Sequence, residues 1–165
     1  MLNPDGVIRG NYRCNTLGVD LNRRWNRPSK ILHPTIYYAK HLARQFNDNQ
    51  IIMFCDMHGH SRKRNVFMYG CVCPENDISQ HRNNNLIKLI PYMLSQRNKL
   101  FSFPDCKFGN EREKESTARM VMFKEFSVNN SYTLESTFYA MYNKEYFRRK
   151  RDVDDELQVK GEELL

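Results

Sequence analysis

The chain has 165 residues, 40% of them hydrophobic and 27% charged, with a formal net charge of +7. That length admits one domain and that composition supports a packed core, so general disorder is excluded. The longest stretch of aliphatic, aromatic and Cys side chains, Ile51-Ile52-Met53-Phe54-Cys55, is far too short for a membrane span.

Residues 1–30 are turn-rich, with Asn3-Pro4-Asp5-Gly6, Gly10-Asn11, Gly18 and Pro28, and read as loops with short extended pieces. Pro34 suits the first turn of a predicted helix over 34–47, which carries Ile36, Ala39, Ala43 and Phe46 on its apolar face and stops at Asn47-Asp48-Asn49. Gln50 to Met57 reads as a strand buried on both faces, and Asn65 to Val72 as a second strand. A helix over 79–97 places Leu86, Leu89, Ile90, Met93 and Leu94 on one side. Pro91 inside it is expected to kink or interrupt it. A third helix over 114–126 precedes Asn129-Asn130 and a strand from Ser131 to Phe138. Helix and strand alternate, so an α/β fold is expected, with helices on the faces of the sheet. From Tyr146 the chain turns basic and then acidic, with few apolar residues, and reads as a solvated helix or a frayed end.

The charge is unevenly placed. Residues 1–70 hold eleven Lys/Arg against four Asp/Glu, whereas residues 71–165 hold fifteen of each. A basic half points to an anionic partner such as nucleic acid, a membrane surface or an acidic peptide, with a merely solvated surface as the plain alternative. The start, Met1-Leu2-Asn3-Pro4-Asp5-Gly6, has neither a basic n-region nor an apolar h-region and does not read as a signal peptide. Cys14, Cys55, Cys71, Cys73 and Cys106 are odd in number and scattered, as expected of reduced cytosolic thiols.

Four places carry chemistry. Asp56-Met57-His58-Gly59-His60 puts His58 at the carboxyl end of the first predicted strand, where open α/β sheets bind ligands. A neutral imidazole there suits a metal or a proton transfer, and a structural histidine is the other reading. In the last strand, period 2 puts Tyr132, Leu134 and Phe138 on one face and Glu135 on the other with Thr133 and Thr137. A buried, unpaired carboxylate is costly, so Glu135 taken alone belongs on a solvent face. Arg13 and the run Asp20-Leu21-Asn22-Arg23-Arg24-Trp25 offer guanidinium forks that recognise carboxylates; a solvated basic loop over Trp25 and a nucleic-acid surface are the alternatives. No RNA-recognition, zinc-finger or helix-turn-helix signature accompanies them, so a nucleic-acid partner is not expected. Arg119, set among Ala118, Met120, Val121 and Met122, either snorkels to the surface or points into a polar pocket. The chain has no H-x-x-E and no H-E-x-x-H, and Cys71-x-Cys73 lacks zinc-knuckle spacing. A zinc site drawn from this chain alone is therefore not expected.

In their order, Asn3-Pro4-Asp5-Gly6-Val7, Gly10-Asn11-Tyr12-Arg13-Cys14, Gly18-Val19-Asp20-Leu21-Asn22-Arg23, Asp56-Met57-His58-Gly59-His60-Ser61 and Ser131-Tyr132-Thr133-Leu134-Glu135 resemble the cytosolic carboxypeptidases. These are M14-type zinc metallocarboxypeptidases that trim glutamates from tubulin tails. The resemblance implies an α/β fold, a partial M14 carboxypeptidase-like domain with a mixed central sheet and helices on both faces. It assigns residues 1–142 to the carboxyl-terminal part of the catalytic domain and leaves 143–165 as a charged tail. It makes His58 a zinc ligand, Glu135 the general base and Arg13 the cation that stabilises the oxyanion. Asn22 and Arg23 grip the substrate's terminal carboxylate, and Arg119 lines the pocket for an acidic terminal side chain. The implied partners are acidic peptide or protein C-termini, tubulin tails among them, with no membrane, and the implied location is the cytoplasm, in association with microtubules. The family's other two zinc ligands come from an H-x-x-E segment ahead of Asn-Pro-Asp-Gly, and here that motif starts at residue 3. Zinc would thus have one ligand in this chain. A catalytically inactive fragment, or a module that binds acidic tails, is the alternative function.

Overall fold

Alternating apolar and polar side chains along Ser131–Thr137 make a strand that can be bonded on both edges, and the sheet is arranged around it. The computed structural model describes residues 1–46, 50–73 and 81–139. Its strands are β1 (Phe54–His60), β2 (Val66–Gly70), β3 (Lys107–Phe108) and β4 (Ser131–Thr137), in the spatial order β1-β4-β2-β3. β4 runs parallel to β1 and antiparallel to β2, and β2 runs parallel to β3, so the sheet is mixed. Its helices are α1 (Pro4–Ile8), α2 (Pro34–Ala43), α3 (His81–Arg97) and α4 (Ala118–Glu125).

The sheet has an apolar cluster on each face. On one, Ile87 of α3 meets Met68, Phe101 and Tyr132, flanked by Ile90, Leu94 and Leu134. On the other, Leu21, Trp25, Ile36 of α2 and Ala118 and Val121 of α4 pack together, with Phe54 against them. The expected α/β architecture, a mixed sheet with helices on both faces, is the one observed.

Several boundaries move. The first strand begins at Phe54, four residues later than expected, and takes in His58 and His60. It is not buried on both faces: β1 is the outer strand of the described sheet, Met57 is 78% exposed, and Ile52 before it is 80% exposed. The helix expected over 114–126 is two pieces, a 3₁₀ turn at Arg112–Lys114 and then α4. Thr117 separates them in an extended conformation (φ −79°, ψ 158°). Helix α1 lies in a segment read as loop. Its signal was local: Asn3 accepts a hydrogen bond from the Gly6 N–H as N-cap, and Pro4 occupies the first turn. The helix stop at Asn47-Asp48-Asn49 and the charged tail over 143–165 lie outside the described residues.

Pro91 does not interrupt the helix; α3 runs through it for 17 residues. A proline lacks the N–H that would bond the carbonyl four residues earlier, here that of Ile87. The Tyr132 hydroxyl of β4 donates to that Ile87 carbonyl at 2.7 Å. Tyr132 is fully buried, and burial pushes its phenol well above the usual value, so it stays a donor. Tyr132→Phe should cost about 1–3 kcal/mol by denaturant unfolding, because it strands a buried carbonyl. In a Pro91→Ala background, where residue 91 regains its N–H, the same change should cost clearly less. Additive losses would show that the hydroxyl does not stand in for the missing helix bond.

Candidate active site

The register of β1 on β4 places His58 beside Glu135, and that of β2 on β4 places Phe67 on Glu135's other side. His58 and Glu135 therefore project from the same face of adjacent strands, with His58 Nδ1 3.9 Å from Glu135 Oε1. Glu135 is only 9% exposed, so the solvent face favoured for it from sequence is corrected. Its neighbours on the face are His58, Phe67, Thr133 and Tyr69. Burial raises the Glu135 carboxyl above its ordinary value, against the pull of His58, His60 and Arg13. Such a carboxylate is poised to take a proton.

Asp56, two residues before His58 on the same strand face, accepts a hydrogen bond at 2.7 Å between its Oδ2 and His58 Nε2. That bond, with the charges of Asp56 and Glu135, raises the His58 pKa despite desolvation. Sequence reasoning did not single out Asp56, although period 2 already put it beside His58.

The Asn22–Arg23 segment is held from three sides. The Asp20 carboxylate accepts from the Asn22 N–H at 2.9 Å and lies 3.4 Å from Arg13 Nη1 and 4.0 Å from Arg23 Nη1. Asn22 Oδ1 accepts from the Ala118 N–H at 2.9 Å and so caps α4, which Thr117 does not cap. The Asn22 amide nitrogen faces His58 Nε2 at 3.4 Å. Behind the segment, the Lys40 ammonium of α2, 2% exposed, donates to the carbonyls of Trp25 (2.8 Å) and Asn26 (3.0 Å) and pairs with Glu125 at 2.7 Å. Arg13 and Arg23 thus share one carboxylate at the edge of the His58–Glu135 pair. Asn22 joins that pair to α4.

Arg119 does not snorkel. It is 7% exposed, its Nη1 donates to the Gly70 carbonyl at the end of β2, and its guanidinium lies over the Tyr69 ring at 6.0 Å. Among the described residues no carboxylate is ion-paired with it. It opens into a pocket of about 250 Å³ lined with Tyr69, Lys107, Gly109, Glu111 and Lys114. Tyr69 connects this pocket to Glu135: burial raises its phenol pKa, and the Glu135 charge raises it further. Sequence reasoning missed Lys107 and Lys114, since the β2–β3 pairing that brings Lys107 beside Tyr69 rests on a two-residue strand.

Six candidate residues were drawn from sequence. The structure brings Asn22, His58 and Glu135 into one contact group, sets Arg13 and Arg23 at its edge, and places Arg119 in an adjoining pocket. Among the described residues no three His, Cys, Asp or Glu side chains gather to hold a metal ion. Catalytic zinc takes three protein ligands and a water, so the donors described here do not by themselves fit it.

No protein-family model matches the chain. Over 147 residues it is 48% identical to cytosolic carboxypeptidase 1 of Danio rerio, a match that covers 83% of this chain and 13% of that protein. It is 47% identical over 149 residues to cytosolic carboxypeptidase 1 of Homo sapiens, covering 83% of this chain and 12% of the relative. The chain therefore spans about an eighth of the length of these relatives. Its fold matches the crystal structure of a metallo-carboxypeptidase from Burkholderia cenocepacia with a TM-score of 0.66 at 25% identity, over 83% of this chain and 34% of that one. The fold is thus that of a metallo-carboxypeptidase, and by sequence the chain belongs to the cytosolic carboxypeptidases.

Proposed function

We propose that this chain supplies the base and the substrate-recognition residues of a zinc metallocarboxypeptidase. Its substrates are C-terminal glutamates of acidic protein tails such as polyglutamylated tubulin, and it works in the cytoplasm, at microtubules. The observation that carries the proposal is Arg119: a cation only 7% exposed, without an ion pair among the described residues, in a pocket adjoining Glu135. A buried charge with no counter-charge is costly, and a substrate carboxylate would supply one.

The chain's own residues divide the work. Glu135 takes a proton from the attacking water and returns it to the leaving amine, a cycle suited to a carboxylate raised by burial. Arg13 faces the negative charge that develops on the carbonyl oxygen. Asn22 and Arg23 hold the free terminal carboxylate, which restricts cleavage to chain ends. Arg119 pairs with the terminal glutamate side chain. His58 would be this chain's zinc ligand, and the remaining ligands would come from outside the described residues. The basic first seventy residues would draw acidic tails toward the site.

A second reading, a module that binds acidic tails without cleaving them, draws on the lack of a three-donor metal group among the described residues. Zinc content separates the two. The 165-residue chain alone should retain well under one equivalent of zinc through dialysis and release no glutamate, whereas a protein that adds the missing ligands should do both. Turnover absent from the extended protein would favour the second reading.

In such an active protein, Glu135→Gln should leave zinc content unchanged and abolish most turnover, while His58→Ala should lower zinc content. Equal metal loss in both would remove Glu135 from the role of base. Arg119→Ala should cut kcat/KM for a peptide ending in Glu by roughly a hundredfold, as expected for a lost charge-assisted pair. The matched peptide ending in Phe should be unaffected or cleaved better, and an equal loss on both would make Arg119 a structural residue.

The Asp56–His58 bond has its own signature. A raised His58 pKa contributes stability that is fully present below the unfolded value near 6.5 and is lost as pH rises through the folded value. Asp56→Asn should therefore lower the His58 pKa in an NMR titration of the metal-free chain. Its cost in unfolding free energy should be larger at about pH 5 than at about pH 8.

A further inference from the structure

The Arg119 pocket carries more positive charge than one carboxylate can neutralise. Arg119, Lys107 and Lys114 face Glu111 across about 250 Å³, three cations against one carboxylate, which leaves a net +2. None of the four is ion-paired among the described residues. At roughly 30 Å³ per water, the space equals that of about eight waters, more than a single carboxylate needs.

The cations arrive from separate elements. Lys107 stands beside Tyr69 through the β2–β3 register, Lys114 ends the 3₁₀ turn before α4, and Arg119 lies within α4. Arg119 is buried, Lys114 half-buried and Lys107 exposed, so the charge runs from the pocket floor to its rim. One arm of the guanidinium bonds the Gly70 carbonyl, within a fork of five N–H donors. A ligand that meets only Arg119 would leave both ammonium groups with water.

We propose that this pocket prefers a terminal side chain bearing two negative charges, a phosphomonoester or a geminal dicarboxylate, over one bearing a single carboxylate. The inference rests on the reading above, in which Arg119 receives the terminal side chain. Arg119 would take one anionic oxygen pair, and the lysines the second charge. Chain ends whose last residue is phosphorylated or doubly carboxylated would then be the preferred ligands of this site. The three cations would turn away a cationic terminal side chain, and the single Glu111 carboxylate would not offset them.

Isothermal titration of the full chain at fixed ionic strength, with matched peptides ending in Glu, γ-carboxyglutamate or phosphoserine, tests this directly. Both doubly charged ends should bind roughly tenfold tighter than Glu, the gain of one further charge-assisted contact. A gain with only one of them assigns the pocket to that chemistry. In the Lys107→Met/Lys114→Met variant the ratio should fall to about one, and Arg119→Met should weaken every peptide. Equal affinity for all three ends overturns the inference and leaves the glutamate reading standing. So does an equal gain from a phosphoserine moved upstream of the terminus, which would mark a general basic surface. If no peptide binds, or Arg119→Met changes nothing, the reading of Arg119 fails and this inference with it.

Discussion

β4 is hydrogen-bonded along both edges, and this single constraint determines where every other functional part lies. With β1 on one side and β2 on the other, successive β4 residues must face opposite layers. Tyr132 turns toward α3, and Thr133 and Glu135 turn toward the layer that holds α4 and Trp25. A shift of one residue in register would drive Glu135 into the apolar cluster around Ile87 and expel Tyr132 from it. The apolar demand of one face thus holds the carboxylate of the other in position.

On the polar face, attraction and burial work against each other at close range. His58 is drawn toward its charged form by Asp56 and Glu135, while Glu135 is pushed toward its neutral form by burial. Asn22 is the joint between this pair and α4, one amide oxygen on the Ala118 N–H and its nitrogen toward His58. Since Arg119 follows Ala118 directly, the helix cap also sets how the Arg119 pocket stands relative to His58 and Glu135. Lys40, buried beneath the same segment, stiffens the support, because its three N–H donors are matched by three acceptors, the Trp25 and Asn26 carbonyls and the Glu125 carboxylate.

Much of this was legible in the residues themselves, and the limits have physical causes. The alternation in Tyr132-Thr133-Leu134-Glu135 gave the strand and the right division of faces, yet exposure was misjudged for Glu135. A carboxylate's burial depends on what surrounds it in the fold, here His58 and Phe67 on the flanking strands, and period 2 is silent on that. The apolar run before Cys55 suggested a strand that starts too early, because Ile51 to Met53 line an apolar groove beside α2 and do not pair in the sheet. The break at Thr117 could not be read locally, since the group that caps α4 sits 96 residues away in sequence. Lys107 and Lys114 carry no periodic signal at all. They join the pocket through a two-residue strand and a 3₁₀ turn, and only tertiary structure brings those together.

The bond between Tyr132 and the Ile87 carbonyl has a kinetic side. A helix with an internal proline is a poor autonomous folder, because propagation past Pro91 lacks one link of its ladder. The missing link is supplied by a residue 45 positions further along the chain. Helix α3 can therefore reach its full strength only once β4 has docked, so the completion of a local element waits on a long-range contact. That coupling should raise cooperativity and slow folding together, and it should leave few partly ordered species in which a finished helix stands exposed beside an unformed sheet.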